Sequence, residues 1–401
     1  MKQDSSQLVQ IVVVGGGFGG VRLANELSQD DRIAVTLISA QDYFAYYPQL
    51  YHAATGGMRT ESAIPLSELF SGSTVEVVID SVTDLDAHQR EVATAAKNIY
   101  KYDYLVLAMG NVTNYFGIKG LEEYAYSIKT IDGAEKFKHH LHQELIEDKK
   151  PDAHYLIAGA GPTGVELAAA LGEYLQSIIK LHNISQPNYG IYLVEAAPRV
   201  LPRASESVSA RVQQRLESLG VTVMTGATVE GETATEMNLK GESLESKTVV
   251  WTAGVANNPF FKAHDKIFKI AKNGKVEVDK HLQAKDGIYV IGDNAATAYS
   301  GLAQTAVHDA NYVASDITDR LEKHPRTSYK PQKPISVIPV GKGWAVVEWG
   351  NLKLYGYKGW ILRRLGDLVA YHDIERWPKA LRVWLQEPKR QDDCPVCQSA
   401  N

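Results

Sequence analysis

Read from the N-terminus, the chain alternates short β-branched runs with stretches of helical periodicity. Val9–Val14 (VQIVVV) is an unbroken apolar run, the pattern of a strand buried on both faces. Val21, Ala24 and Leu27 then recur on one helical face, and Ala34–Ser39 (AVTLIS) closes a strand–helix–strand unit of about thirty residues. The pattern returns at His154–Ala158 (HYLIA), followed by a helix predicted over Pro162–Ile179 and a strand over Gly190–Glu195. Proline stands in the first turn of that helix, where no amide donor is missed. A third run, Gly287–Asp293 (GIYVIGD), leads into a helical pattern from about Gly301 to Leu321. Toward the C-terminus, Lys342–Tyr357 reads as a strand hairpin. Ile361, Leu362, Leu365, Leu368, Val369 and His372 then repeat at helical spacing, as do Trp377, Leu381, Trp384 and Leu385 around Pro378. Strand and helix in alternation predict an α/β fold.

The first two strands run into glycine. Gly15, Gly17 and Gly20 fall in G-x-G-x-x-G register, and Gly159, Gly161 and Gly164 repeat it. The first glycine permits the tight turn, the second lets backbone approach a pyrophosphate, and the third lets helix and strand pack closely. Amide groups at the helix N-terminus then face the phosphates. A tight structural turn is the alternative, but strand before and helix after favour a nucleotide. The strand ends differ. Ser39 stands where an acid usually holds a ribose hydroxyl, though a serine still donates or accepts a hydrogen bond. Glu195 ends the second pair, and a carboxylate there accepts both ribose hydroxyls of NADH while repelling the extra phosphate of NADPH. A solvated glutamate is the plainer alternative. Asp293 is placed to accept a hydrogen bond from a polyol chain, or else to cap a surface loop. The helix beyond it aims its positive end above the sheet edge, a field that favours a flavin made anionic by reduction. Two cradles therefore imply two dinucleotides: a tightly bound FAD on the first and a dissociable NADH on the second.

Composition narrows the partners. A net charge of −5 over 401 residues lacks the basic excess of a nucleic-acid binder. No run of eighteen apolar residues occurs, so no membrane-spanning helix is expected. The opening MKQDSSQLVQ shows no signal or transit pattern, and the chain is expected to stay in the compartment where it is made. The two cysteines, Cys394 and Cys397, have zinc-knuckle spacing but supply half a tetrahedron; a solvated tail is the alternative. His139, His140 and His142 lie in a charged helical run and are expected to form a solvated face with no metal.

From about Val9 to Leu321 the chain resembles the type II NADH:quinone oxidoreductases, single-subunit flavoproteins with two dinucleotide-binding domains that pump no protons. The segments that carry the resemblance are, in order, GGGFGG, DYFAYYPQLYHAATGG (42–57), YDYLVLAMG (102–110), GAGPTGVELAAAL (159–171), VEAAPRVLP (194–202), WTAGV (251–255), VIGDNA (290–295) and LAQTAVHDA (302–310). The resemblance implies two Rossmann-like domains. A discontinuous FAD domain covers 1–112 and 285–325, an NADH domain with its connecting segment covers 113–284, and a C-terminal membrane-associating region covers 326–401. It further implies that Gly15, Gly17, Phe18, Gly20, Ser39, Gly110, Asp293 and Ala303 hold FAD. Gly159, Gly161, Gly164 and Glu195 hold NADH, with Ala253 and Gly254 beside the nicotinamide. Glu166 takes a proton-relay position near the flavin, and Gln304 lies at the quinone site beside the isoalloxazine. Two positions depart from the family pattern: Met109 where threonine is frequent, and His308 where a second glutamine is frequent. Histidine still hydrogen-bonds a quinone carbonyl and, unlike glutamine, carries a proton.

The acceptor follows partly from what is missing. Flavin disulfide reductases and sulfide:quinone oxidoreductases relay through cysteines near the flavin, and no cysteine precedes Cys394. Electrons are expected to leave the flavin directly, for menaquinone or ubiquinone. Between Asn351 and Arg390 there are nine Lys or Arg against four Asp or Glu, together with Trp360, Trp377 and Trp384. Basic residues suit anionic lipid and tryptophans suit the headgroup layer, so a peripheral homodimer on the cytoplasmic face of the membrane is expected. The alternatives are a helix pair buried against a domain or partner, a reductase of a soluble acceptor, or a flavin-bearing redox sensor.

Overall fold

The computed structural model describes residues 8–184, 188–374 and 377–386, and in it Val9–Val14 occupies the middle of a six-stranded sheet. The strand order is Gln283–Lys285, Ile288–Val290, Tyr104–Leu107, Val9–Val14, Ile33–Ser39 and Glu76–Ile79. Every pairing is parallel except the edge hairpin of the first two. Ile11, Val12, Val13 and Val14 are all buried, which accounts for an unbroken rather than alternating apolar run. Helix α1 (Phe18–Leu27) leaves the central strand and buries Val21, Leu23, Ala24 and Leu27.

The second unit repeats the plan with four parallel strands, ordered Val221–Thr225, Gly190–Glu195, His154–Ala158 and Thr248–Trp251. Helix α2 (Pro162–Leu181) follows His154–Ala158. Two short strands, Asn111–Thr113 and Val255–Asn257, pair antiparallel and tie the units together. The chain then re-enters the first sheet at Ile288–Val290. That strand ends before the apolar run does, because Gly292–Asn294 turn into a 3-10 helix ahead of α3 (Ala303–Leu321).

The predicted C-terminal hairpin is a three-stranded antiparallel sheet, Ser336–Pro339, Ala345–Trp349 and Leu352–Leu354, followed by α4 (Tyr357–His372) and α5 (Trp377–Gln386). Ile338, Val340 and Val346 join the core of the second unit with Tyr155 and Leu171. Tyr371, Ile374 and Ala380 join the core of the first unit with Val21 and Phe44. The C-terminal segment thus fastens both units.

Helix α4 is inverted. It buries Gly359, Arg363, Asp367 and Tyr371, while Ile361, Leu365 and Val369 are 43%, 49% and 54% exposed. The alternative of an apolar stripe packed against a domain is therefore corrected for these residues. The histidine expectation is corrected too. His139 is solvated, but His142 is buried, and His140 stacks on Tyr126 with its Nε2 2.9 Å from Thr248 Oγ1. Their helix, Ile131–His142, packs Ala134, Phe137 and Leu141 into the second core, which draws two of the three rings inward. Among the described residues no group of His, Cys, Asp and Glu could hold a metal, and no helix is long and apolar enough to cross a membrane. Cys394 and Cys397 lie outside the described residues.

Candidate active site between two dinucleotide crevices

In each sheet the glycine loop sits where strand order reverses, the point at which open α/β sheets bind ligands. The fit to a dinucleotide is tested by adding side chains. Gly15 (φ +116°) and Gly159 (φ +106°) adopt left-handed backbone, and a Cβ on either collides with the neighbouring strand's loop, at Ala108 or Ala253. A Cβ on Gly20 or Gly164 overlaps the carbonyl oxygen of Gly15 or Gly159. Gly17 and Gly161, by contrast, look onto open space, where a diphosphate can approach. Helices α1 and α2 start at these glycines with no side-chain cap and no acid in the first turn. Their orphan amide donors remain for an anion. Helix Ile131–His142, which faces neither crevice, is capped by Thr130 and carries Asp132 in its first turn.

Around the first crevice, Phe18 turns its ring into the core, 4.8 Å from Phe44, so only its backbone faces the loop. Ser39 is buried, and its hydroxyl donates to the Gln41 carbonyl at 2.7 Å directly beneath Gly16. Asp293 accepts a hydrogen bond from the Asn111 amide. Asn294 holds Gly110 by both its N–H (2.9 Å) and its carbonyl (2.6 Å), and donates to Asn257 at 2.7 Å. Asp309 accepts from the Gly292 N–H at 2.9 Å and from the Tyr329 hydroxyl at 2.6 Å. Asn294 and Asp309 were missed in the sequence, although both fall inside the quoted segments VIGDNA and LAQTAVHDA.

Ala303 opens α3, half-buried, again without a side-chain cap or a first-turn acid. Gln304 is exposed, and its amide both donates to and accepts from the backbone of Ile335, each at 3.0 Å. His308 Nε2 donates to the Lys330 carbonyl at 2.9 Å, and its ring packs on Tyr329. Both side chains therefore hold the 329–335 strap.

In the second crevice Glu195 receives the Ala160 N–H at 2.7 Å and the Ala197 N–H at 2.9 Å, which fixes its carboxylate against the glycine loop. Ala253 and Gly254 follow Thr248–Trp251. Gly254 is confined by the Asn114 carbonyl and the Phe116 ring, so its position tolerates no side chain.

A pocket opens between the two units. Tyr47, Leu50 and Tyr51 line it from the first unit, Thr163, Glu166, Trp251 and Thr252 from the second, and Lys129 from the connection between them. The Glu166 side chain makes no hydrogen bond among the described residues; it is half-buried and lines this pocket. Burial pushes its carboxyl up to about 8, the nearby Arg363 guanidinium opposing and Asp367 adding to the rise. Arg363 and Asp367 are paired on α4 at 3.1 Å, both buried, and the Tyr46 hydroxyl donates to Asp367 at 3.2 Å. Tyr46 in turn stacks on Tyr371, ring centroids 4.4 Å apart. This ion pair was also missed, because charges four residues apart on a helix read as a solvated face.

A model of the pyridine nucleotide-disulphide oxidoreductases matches residues 9–310, which contain both glycine loops and Asp293. The chain belongs to that family. It carries no cysteine before Cys394. Its fold is shared with NDH2 from Plasmodium falciparum in complex with NADH, with TM-score 0.85, 18% identity and coverage of 95% of this chain and 98% of that one. The sulfide:quinone oxidoreductase of Aquifex aeolicus gives TM-score 0.76 at 20% identity, covering 89% of each chain. Among curated relatives, the type II NADH:quinone oxidoreductase of Staphylococcus saprophyticus is 28% identical over 394 residues, covering 92% of this chain and 96% of the relative. The type II NADH:quinone oxidoreductase Ndh of Mycobacterium tuberculosis is 29% identical over 381 residues, covering 88% of this chain and 82% of the relative.

Proposed function

We infer that the chain is an FAD-dependent NADH:quinone oxidoreductase of type II. The observation that carries this reading is the convergence of two uncapped, glycine-floored crevices on one pocket lined by Glu166. Bound FAD supplies the chemistry, taking hydride from NADH and giving two electrons to quinone. The protein's part is to hold, orient and protonate. Gly15, Gly17, Gly20 and the backbone of Phe18 cradle the flavin dinucleotide, with Ser39, Gly110, Asp293 and Ala303 along its length. Gly159, Gly161 and Gly164 cradle NADH, Glu195 accepts its ribose, and Ala253 and Gly254 border the nicotinamide. Glu166, neutral below pH about 8, holds a proton beside the pocket for the reduced quinone. Gln304 and His308 serve the quinone side of α3, each exchanging its present strap partner for the quinone.

The exposed Ile361, Leu365 and Val369 of α4, with Trp377, Leu381 and Leu385 of α5, supply an apolar surface for a peripheral seat on the cytoplasmic face of a membrane. Polar burial on the other side of α4 supports this orientation, since the apolar side is the one left outward. The test is NADH oxidation by purified flavin-loaded protein with a lipid quinone against a soluble one-electron acceptor, alongside vesicle co-sedimentation. Quinone turnover with membrane binding is expected. Turnover confined to the soluble acceptor, with no vesicle binding, would replace the quinone reading by that of a soluble reductase.

A further inference from the structure

Three lysines approach the junction of the two units, and they are not treated alike. Lys138 is buried and donates to the Gly57 carbonyl at 3.2 Å, and Lys275 donates to the Ser300 hydroxyl. The Lys129 ammonium has no hydrogen bond or ion pair among the described residues; it lies 5.0 Å from the centre of the Tyr47 ring. It lines the pocket with Glu166, Thr113 and Ser127. A half-buried ammonium with three unused donors is costly unless a bound group satisfies it. Desolvation lowers its pKa, and the Asp293 carboxylate pulls the other way, so the cation and Asp293 face one region of the crevice.

Glu166, the carboxyl group lining this pocket, adds no negative charge while it is protonated. Hydride delivery brings two electrons and one proton and leaves one negative charge at the acceptor. Among the described residues Lys129 is the one cation lining the pocket. Resting on the flavin reading above, we propose that Lys129 is a potential-setting residue: its ammonium fills its open donor positions on bound flavin and stabilises the charge left by two-electron reduction. The neighbouring Tyr47 ring holds the ammonium by its negative face, so the cation is placed without a direct ion pair.

The test uses FAD-loaded full-length protein with Lys129→Met, Lys129→Gln and Lys129→Arg. The readouts are flavin per chain, Tm and the flavin midpoint potential measured by equilibration with redox dyes. Loss of the charge is expected to lower the reduced-to-oxidised flavin ratio at fixed ambient potential by about tenfold or more in both neutral variants. Arginine is expected to restore it, with flavin content and Tm unchanged throughout. If one neutral variant folds poorly, the other supplies the measurement. A midpoint unchanged in the neutral variants overturns the proposal, including the case where only the KM for NADH or for quinone rises, which would assign the lysine to a substrate instead. Wild-type protein that binds no FAD, or whose flavin NADH fails to reduce, overturns the function reading itself. Wild-type flavin reduced normally, at a potential the neutral variants share, overturns this inference alone.

Discussion

The two glycine crevices are nearly superimposable in design and differ in what surrounds them. Gly15 and Gly159 share left-handed backbone, Gly20 and Gly164 share the same close approach to a carbonyl, and α1 and α2 both start uncapped. The strand ends diverge. Ser39 is sealed beneath Gly16, whereas Glu195 presents a half-exposed carboxylate braced by two backbone amides. The first crevice is also braced by Asn294 and Asp309, whereas at the second the Thr252 hydroxyl donates to the Gly159 carbonyl at 2.9 Å. Backbone shape is thus common to the two crevices, and the residues around it are where they differ.

The sharpest way to break the comparison is to add one carbon to each floor. Gly20→Ala is expected to abolish flavin retention, seen as loss of visible absorbance in the purified protein. Gly164→Ala is expected to leave flavin bound while NADH no longer reduces it. Equal flavin loss in both would mean that the crevices are not independent. Next in size is Glu166→Gln. Quinone-dependent turnover is expected to fall about a hundredfold, and the wild-type decline in rate as pH rises through about 8 should disappear. Reduction of the flavin by NADH, followed by stopped flow, should barely change. Glu195→Ala is expected to raise the KM for NADH about tenfold and to narrow the preference over NADPH, whereas Ser39→Ala should leave that preference untouched.

Two smaller effects concern stability. Glu144, Glu166 and Glu232 are each pushed by burial to about 8, from an ordinary 4.5. Between those values the folded chain binds protons that the unfolded chain releases, so stability is greatest at the acid end and falls as pH rises through about 8. Tm should therefore drop between pH 5 and 8, and Glu232→Gln, remote from both crevices, should flatten part of that slope without altering flavin content. Smallest of all, Thr130→Ala removes the cap of a helix that serves no ligand and should cost about 1 kcal/mol in denaturant unfolding, with kinetics unchanged.

What could be read in advance was local. Glycine spacing, flanking apolar runs and a strand-end acid lie within about thirty residues of one another, and those signals placed both crevices and Asp293. What escaped notice depends on distant chain. Arg363 and Asp367 look like surface charges until Tyr46 and Glu166 are brought against them from elsewhere in the chain. Gln304 and His308 have partners more than twenty residues downstream, on a strap whose path no periodicity reveals. The outward stripe of α4 was legible as an apolar repeat, but its direction was not, because periodicity gives a face without saying what it faces.

The C-terminal segment touches both cores and reaches Glu166 through Arg363, yet it lies beyond the last residue of either crevice. Both crevices are encoded before residue 321. The pairing that faces Glu166 arrives only when α4 has been translated. A chain truncated before α4 would keep both glycine loops but lack Arg363 and Asp367 beside Glu166, together with part of each core.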